Sequence, residues 1–319
     1  MKVIKAKLTH RTHHKLDIKL LTIGDVLVYD IYIKRDDDYV ILIKAGTKVS
    51  SELYEKLKKR SSLYISASDE YKKIFNSKSL FNYIKYNKSE YKKSFDYLYK
   101  ITNELFTNFS NSNDYKFDIP ILEDIIKSII YLVQSDNAYL QKTIPFLNDA
   151  HELKYHSLHV ATYAISLGHT LKFTNKELLE LGIAGFMHDL GMKNINEDII
   201  NKNSKLDLDE LELMQQHCKY SSDIAKKNYV HDPYILDAIM HHHEALDGSG
   251  YPNQINSQEI SQFAAILSIT DNFDALTSSR PYRKKYSTFE ALTIMMKEDS
   301  MANKFNQEYL KVFLASLVK

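Results

Sequence analysis

The chain has 319 residues, 44% of them apolar, with 42 basic and 41 acidic side chains and a net charge of +1. That balance leaves no electrostatic footprint for a DNA or RNA partner, and the length favours two domains over one. A single cysteine, Cys218, excludes an intramolecular disulfide and fits a reducing compartment, while only 8 Gly and 5 Pro favour long helices over many turns.

Met1 to Lys7 has no apolar core of the kind a signal peptide needs, so the expected location is the cytoplasm. Residues 1–15, with His10, His13 and His14, read as a solvated, poorly ordered end. Val26 to Ile33 is β-branched and aromatic, as a strand requires. Arg35 to Asp38 supplies a turn, and Tyr39 to Ile43 returns as the second strand of a hairpin. Gly46 marks another turn, Ser50 can cap a short helix carrying Leu53 and Leu57, and Leu63 to Ile65 fits a third strand. Residues 1–70 therefore form a small β-rich module without a catalytic cluster, suited to regulation or association.

Residues 71–140 read as a helical connector. Tyr71, Phe75, Phe81, Ile84, Tyr91, Phe95, Leu98 and Leu105 recur at roughly helical spacing among lysines. Such a mixture can stack on bases, but an amphipathic helix with aromatics inward explains it more simply. Ser110 to Asp114 is a loop. Helical pattern resumes at Ile119, and the stretch to Val133 is too short and too charged, at Glu123, Asp124 and Lys127, to span a bilayer.

Ten of the 13 histidines fall between His151 and His243, in a segment that also contains the run His241-His242-His243-Glu244. Neutral imidazole is the commonest transition-metal ligand, and packing alone gives no reason for three in a row. His188-Asp189 ends the apolar run from Leu178 and precedes Gly191. His217 falls in a helix that starts after Leu206-Asp207-Leu208, and Asp271 lies at the polar edge of an apolar helix. Glu152 stands four residues before His156, on the same helical face. A second pair, His231-Asp232, is followed by Pro233 and reads as a loop or helix start. His151, His159, His169 and His241 read as supporting or surface groups.

Taken in order, His156-Ser157-Leu158-His159-Val160, His188-Asp189-Leu190-Gly191, His242-His243-Glu244, Asp247-Gly248-Ser249-Gly250-Tyr251-Pro252, Asp271-Asn272-Phe273-Asp274-Ala275-Leu276-Thr277 and Arg280-Pro281-Tyr282-Arg283 resemble the HD-GYP phosphodiesterases over about 145–319. The small module over residues 20–66 is similar, more weakly, to one that often precedes such domains. The resemblance implies a mainly α protein: an all-α HD-type domain over 141–319 behind the small N-terminal α+β module. It implies His156, His188, Asp189, His217, His242, His243 and Asp271 as metal ligands, with His188 and Asp189 central to catalysis. Some relatives bind a third ion through a glutamate placed like Glu152, which otherwise reads as a surface acid. The implied cofactor is two or three divalent ions, iron or manganese. Imidazole and carboxylate donors suit both, and two adjacent ions can activate a bridging hydroxide for in-line attack on phosphorus.

The implied substrate is cyclic di-GMP, opened to linear pGpG, GMP or both, with Arg280 and Arg283 holding phosphate beside Gly250, Tyr251 and Pro252. The implied partners are diguanylate cyclase domains, reached through the Gly-Tyr-Pro loop, with room for a homodimer. One position departs from the pattern: the family places a phosphate-associated lysine after His-Asp-x-Gly, and here it is Met192. Lys193 follows, but one step along a helix turns it by about 100 degrees. Met192 keeps open a catalytically weak sensor or scaffold, and a phosphohydrolase of another nucleotide is a further alternative.

Overall fold

A computed structural model describes residues 13–16, 18, 21, 23–24, 27, 29–36, 38–60, 62–66, 77–147, 153–202, 204–278, 285–298 and 301–317. The chain divides into two compact units, Met1–Tyr86 and Asn87–Lys319.

The first unit is built on a four-stranded antiparallel sheet. Its strands are β1 (His13–Leu16), β2 (Ile31–Arg35), β3 (Asp38–Ile43) and β4 (Leu63–Ser66), in the order β1-β4-β2-β3. The expected hairpin is present with other bounds: β2 starts at Ile31 rather than Val26, and Arg35 and Asp38, expected in the turn, pair with each other, leaving Asp36 at φ 53 in the turn. Helix α1 (Ser51–Lys58) starts where Ser50 accepts a hydrogen bond from the Leu53 amide at 3.1 Å. Leu27, Ile31, Val49, Leu57, Leu63 and Ile65 form its core. The end expected to be solvated is partly ordered: His13 to Leu16 pair residue by residue with Ser66 to Leu63, and His13 stacks on Tyr39 with ring centres 3.9 Å apart. The polar composition of that stretch hides a strand whose Leu16 packs in the core of the unit. Helix α2 (Ser77–Tyr86) closes the unit.

The second unit is all helical among the described residues. Helices α3 (Tyr91–Ser110), α4 (Ile119–Ser135) and α5 (Tyr139–Leu147) precede α6 (Leu153–Thr170) and α7 (Asn175–Met187). A 3-10 turn (Leu190–Asn194) leads to α8 (Glu197–Ile200), α9 (Leu208–Gln215), α10 (His217–Lys227) and α11 (Pro233–His241). The chain then continues through α12 (Gln262–Thr277), α13 (Thr288–Lys297) and α14 (Gln307–Leu317). Thr174 and Glu177 form a reciprocal capping box that starts α7. From Leu178 to Met187 every residue except Leu179 and Glu180 is an apolar residue or glycine buried from solvent, or nearly so, which makes α7 a central helix covered on several sides. It packs on α4, α6 and α11, while α12 packs on α6 and α11. Residues 71–140, expected as a connector, are helical from Ser77, and α3 and α4 pack onto α6 and α7 as part of the second unit. No helix among the described residues is long and apolar enough to cross a membrane.

Candidate metal centre

The helix ends decide which histidines meet. His188 terminates α7, His217 begins α10 and His242 terminates α11, while His156 stands in the first turn of α6 and Asp271 in the middle of α12. The helix expected to contain His217 is two helices, α9 and α10, meeting at Gln216. Gly191 lets the 3-10 turn lie against α10. A Cβ there would overlap the His217 carbonyl and Ser221, and the Gly191 amide instead donates to the Ser221 hydroxyl at 2.8 Å.

The seven histidines and aspartates expected as ligands come together in two groups. Asp189, His217, His242 and His243 form one; His156, His188 and Asp271 form the other. Within each group the donor atoms lie within 4.8 Å of one another, close enough for each to hold an ion. Asp189 stands between them. Its Oδ1 is 3.2 Å from His217 Nε2 and 3.8 Å from His242 Nε2, and its Oδ2 is 3.6 Å from His188 Nε2 and 3.7 Å from His156 Nε2. Asp271 straddles them too, with Oδ1 3.1 Å from His156 Nε2 and Oδ2 3.8 Å from His243 Nδ1. His188 and His242 are fully buried. A buried cluster so rich in lone pairs is costly unless charges pair within it or a cation occupies it. The donor set, five imidazoles and two carboxylates, fits divalent transition ions.

Protons fill part of that role in the metal-free protein. Burial opposes a charged His156, but the hydrogen bonds to Asp271 and Asp274 outweigh it and raise its pKa to about 10. Burial likewise opposes a charged His217, and Asp189 with Cys218 raises it to about 11. His243 goes the other way, to about 4, through burial that Asp271 only partly offsets and the nearby His217. His242 is held low by burial and by the neighbouring histidines. Both aspartates stay ionised: burial works against Asp189 and Asp271, and the surrounding imidazoles hold both well below the usual carboxylate range.

The Gly-Tyr-Pro loop forms one wall. The Tyr251 ring lies 4.6 Å from that of His243 and 6.3 Å from that of His217. Gly250 is buried where a Cβ would overlap the backbone of His243, Glu244 and Ala245. The buried Glu244 carboxylate fixes the loop by accepting from the amides of Asn253 at 2.6 Å and Gln254 at 3.0 Å, and Pro252 follows a cis peptide bond. His241 points away from the cluster, to Asp237 at 2.7 Å and Asn253 at 2.9 Å.

A cavity of about 600 Å³ opens over the cluster, with Phe106, Met192, Ile200 and Met214 adding apolar surface to its lining. Met192 and Lys193 both line the cavity, but the Lys193 amine is already engaged. The Lys193 amine donates to the carbonyls of Phe109 at 2.8 Å and Ser112 at 2.9 Å. Glu152, Arg280 and Arg283 lie outside the described residues, as does His151.

Sequence reasoning read His159 only as a supporting or surface group and gave Asp274 and Tyr99 no role. Asp274 is buried and meets His156 Nδ1 at 2.7 Å and His159 Nδ1 at 3.0 Å, and Tyr99 reaches His159 Nε2 at 2.7 Å. The available signal was helical spacing: Asp274 follows Asp271 by three residues and His159 follows His156 by three, so each shares a face with a ligand.

The HD domain family model matches residues 123–305. A cyclic di-GMP phosphodiesterase of Pseudomonas aeruginosa is 33% identical over 44% of this chain and 34% of its own length. A 3'3'-cGAMP-specific phosphodiesterase of Vibrio cholerae is 34% identical over 50% of this chain and 36% of its own. The chain thus spans about a third of the length of these curated relatives. In fold it is similar to an HDG"Y"P protein from Bdellovibrio bacteriovorus, with a TM-score of 0.59 and 15% identity over 97% of this chain and 100% of that one.

Proposed function

Because the chain belongs to the HD domain family, within its HD-GYP branch, we propose that it is a metal-dependent phosphodiesterase that opens cyclic di-GMP to linear pGpG, GMP or both. The observation that carries this reading is Asp189, whose two oxygens face two separate ligand groups, as a carboxylate shared by two ions must. In this reading His156, His188 and Asp271 hold one ion, and His217, His242 and His243 hold the other. The donor set suits iron or manganese. Glu152 is the proposed ligand of a third. Ions at these positions supply Lewis-acid stabilisation of charge on phosphoryl oxygens and make water a competent nucleophile at neutral pH.

The chain's own groups do the rest. Asp189 and Asp271 offset the positive charge of the ions. Tyr251 walls the cluster beside His243 and His217, next to Gly250, which packs against the backbone of His243 to Ala245, and Pro252. Arg280 and Arg283 are the proposed phosphate holders, since a guanidinium binds phosphate oxygens in pairs. Met192 gives the cavity a thioether where the family places a cation, so either the ions with Arg280 and Arg283 suffice for charge stabilisation or turnover is slow relative to a lysine-bearing relative.

The test is a substrate panel. Protein loaded anaerobically with iron or manganese is given cyclic di-GMP and 3'3'-cGAMP, because the relatives act on one or the other. Faster cleavage of cyclic di-GMP is the expected result. Faster cleavage of 3'3'-cGAMP would transfer the assignment to that substrate. Tight binding without cleavage would favour the sensor reading that Met192 motivates, and neither binding nor cleavage would overturn the proposal. A cyclase partner at the Gly-Tyr-Pro loop predicts that Tyr251→Ala loses capture of diguanylate cyclase domains.

A further inference from the structure

A histidine that offers one ring nitrogen to a metal must have its other nitrogen held, because the holder sets both tautomer and ring orientation. For three histidines of the cluster the holder is a backbone carbonyl three residues earlier. Nδ1 of His188 donates to Gly185 at 2.7 Å, Nδ1 of His217 to Met214 at 2.8 Å and Nδ1 of His242 to Ile239 at 2.8 Å. His156 differs. Its Nδ1 meets Asp274 Oδ2 at 2.7 Å, and Asp274 is 1% exposed. The other oxygen of Asp274 meets Nδ1 of His159, which is fully buried, at 3.0 Å. His159 Nε2 lies 2.7 Å from the Tyr99 hydroxyl, which also reaches the Phe146 carbonyl at 2.9 Å.

The difference between a carbonyl and a carboxylate is chemical. An ionised carboxylate only accepts, so the proton of neutral His156 stays on Nδ1 and the lone pair of Nε2 faces Asp271 and His188. A carboxylate also makes the imidazole a stronger donor than a neutral carbonyl does. We propose that Asp274 is a positioning residue that strengthens one half of the metal centre, the His156–His188–Asp271 half, and that His159 and Tyr99 hold Asp274 in place. With Asp189 shared, each half has three donors of its own: His156, His188 and Asp271 in one, His217, His242 and His243 in the other. Asp189 serves both halves, so Asp274 adds donor strength to this half through His156 alone. The inference rests on the reading of the cluster as a two-ion centre.

The experiment is a Mn²⁺ titration of the metal-free full chain, read by the electron paramagnetic resonance of free and bound ion and checked by elemental analysis. Parent protein is expected to bind at least two Mn²⁺. Asp274→Asn keeps the shape but offers one acceptor and one amide donor, so it cannot accept from both histidines. It should bind one Mn²⁺ about 10–100-fold more weakly and leave the rest unchanged. Tyr99→Phe removes only the outermost hydroxyl and should show a smaller loss confined to the same ion, which keeps the test available if Asp274→Asn does not fold. Equal weakening of every ion, or none, in whichever variant folds would overturn the role of Asp274 alone. A parent that binds no Mn²⁺ would overturn the two-ion centre and this inference with it.

Discussion

His188-Asp189 and His231-Asp232 are the same dipeptide at two helix boundaries, and their surroundings separate them. His188 is fully buried at the end of α7, with the rings of His156 and His242 centred 5.1 and 4.8 Å away. Asp189 beside it is shared between two ligand groups. His231 is exposed, its ring 6.4 Å from that of Tyr229. Asp232 caps α11 by accepting from the amides of Tyr234 at 2.9 Å and Ile235 at 3.4 Å, with Pro233 in the first turn. The first pair ends a helix inside a crowd of donors; the second starts one at the surface. A carboxylate at a helix start serves the helix, whereas one beside a helix end, encircled by imidazoles, serves a cation.

The sharpest way to break this comparison is Asp189→Ala. It removes the one side chain facing both groups, so bound metal and turnover should both fall, by more than the roughly 10–100-fold that follows loss of an outer partner. Elemental analysis and a product assay check it, and a metal-replete, active variant would reduce Asp189 to the rank of Asp232. The helices should persist, as far-ultraviolet circular dichroism would show, because Asp189 is not part of the apolar core.

Protons offer a second test. His156 near 10 and His217 near 11 are charged at neutral pH in the metal-free protein, and a metal ligand must be neutral. Metal uptake at pH 7 should therefore expel protons, which calorimetry in buffers of different ionisation enthalpy measures. The same shifts set the pH dependence of the metal-free fold. Both pKa values are raised above 6.5, so their stabilisation is complete below that pH and is lost as pH rises through about 10–11. Thermal melts of metal-free protein should fall across that window, and loaded protein should fall less.

Met192→Lys asks whether the cavity beside the first pair wants a cation. An increase of about tenfold in kcat is expected if a lysine there meets charge that develops in the transition state. Melting temperature is measured in parallel, since a half-buried lysine without a partner destabilises the fold. A stable, loaded variant with parental kinetics would mean that this position does not touch phosphate.

The smallest effect belongs to the second pair. Asp232→Ala should cost about 1 kcal/mol of stability through the lost helix cap, while metal content and turnover stay at parental values. His231→Ala should stay within about 0.5 kcal/mol. Loss of metal in either would make the capping account of this pair wrong.

The ligands were legible in the sequence because their types are rare in a core and their order is distinctive. Their supports were harder to see. Asp274 and His159 lie three residues from ligands, but nothing in a linear pattern says that two helices bring those faces together with Tyr99 of α3. Strand β1 was missed because its pairing with β4 is made by backbone groups, which composition does not reveal. The connector over 71–140 looked separate because its aromatics are spaced like any amphipathic helix. Only the packing of α3 and α4 on α6 and α7 shows what they cover.

That packing bears on where the protein can be cut. The family model begins at residue 123, after α3 has ended. Phe106 and Phe109 of α3 sit against Phe117, and Phe106 also meets Phe186 of α7, with ring centres 5.4 to 6.0 Å apart across these three pairs. The Lys193 amine is tied to the carbonyls at the end of α3. A recombinant fragment trimmed to the family boundary would lay those aromatic faces open to water and leave Lys193 and His159 without their partners on α3. Such a fragment would be prone to aggregate and would take up metal poorly, so the shortest piece worth expressing starts ahead of α3, near Asn87.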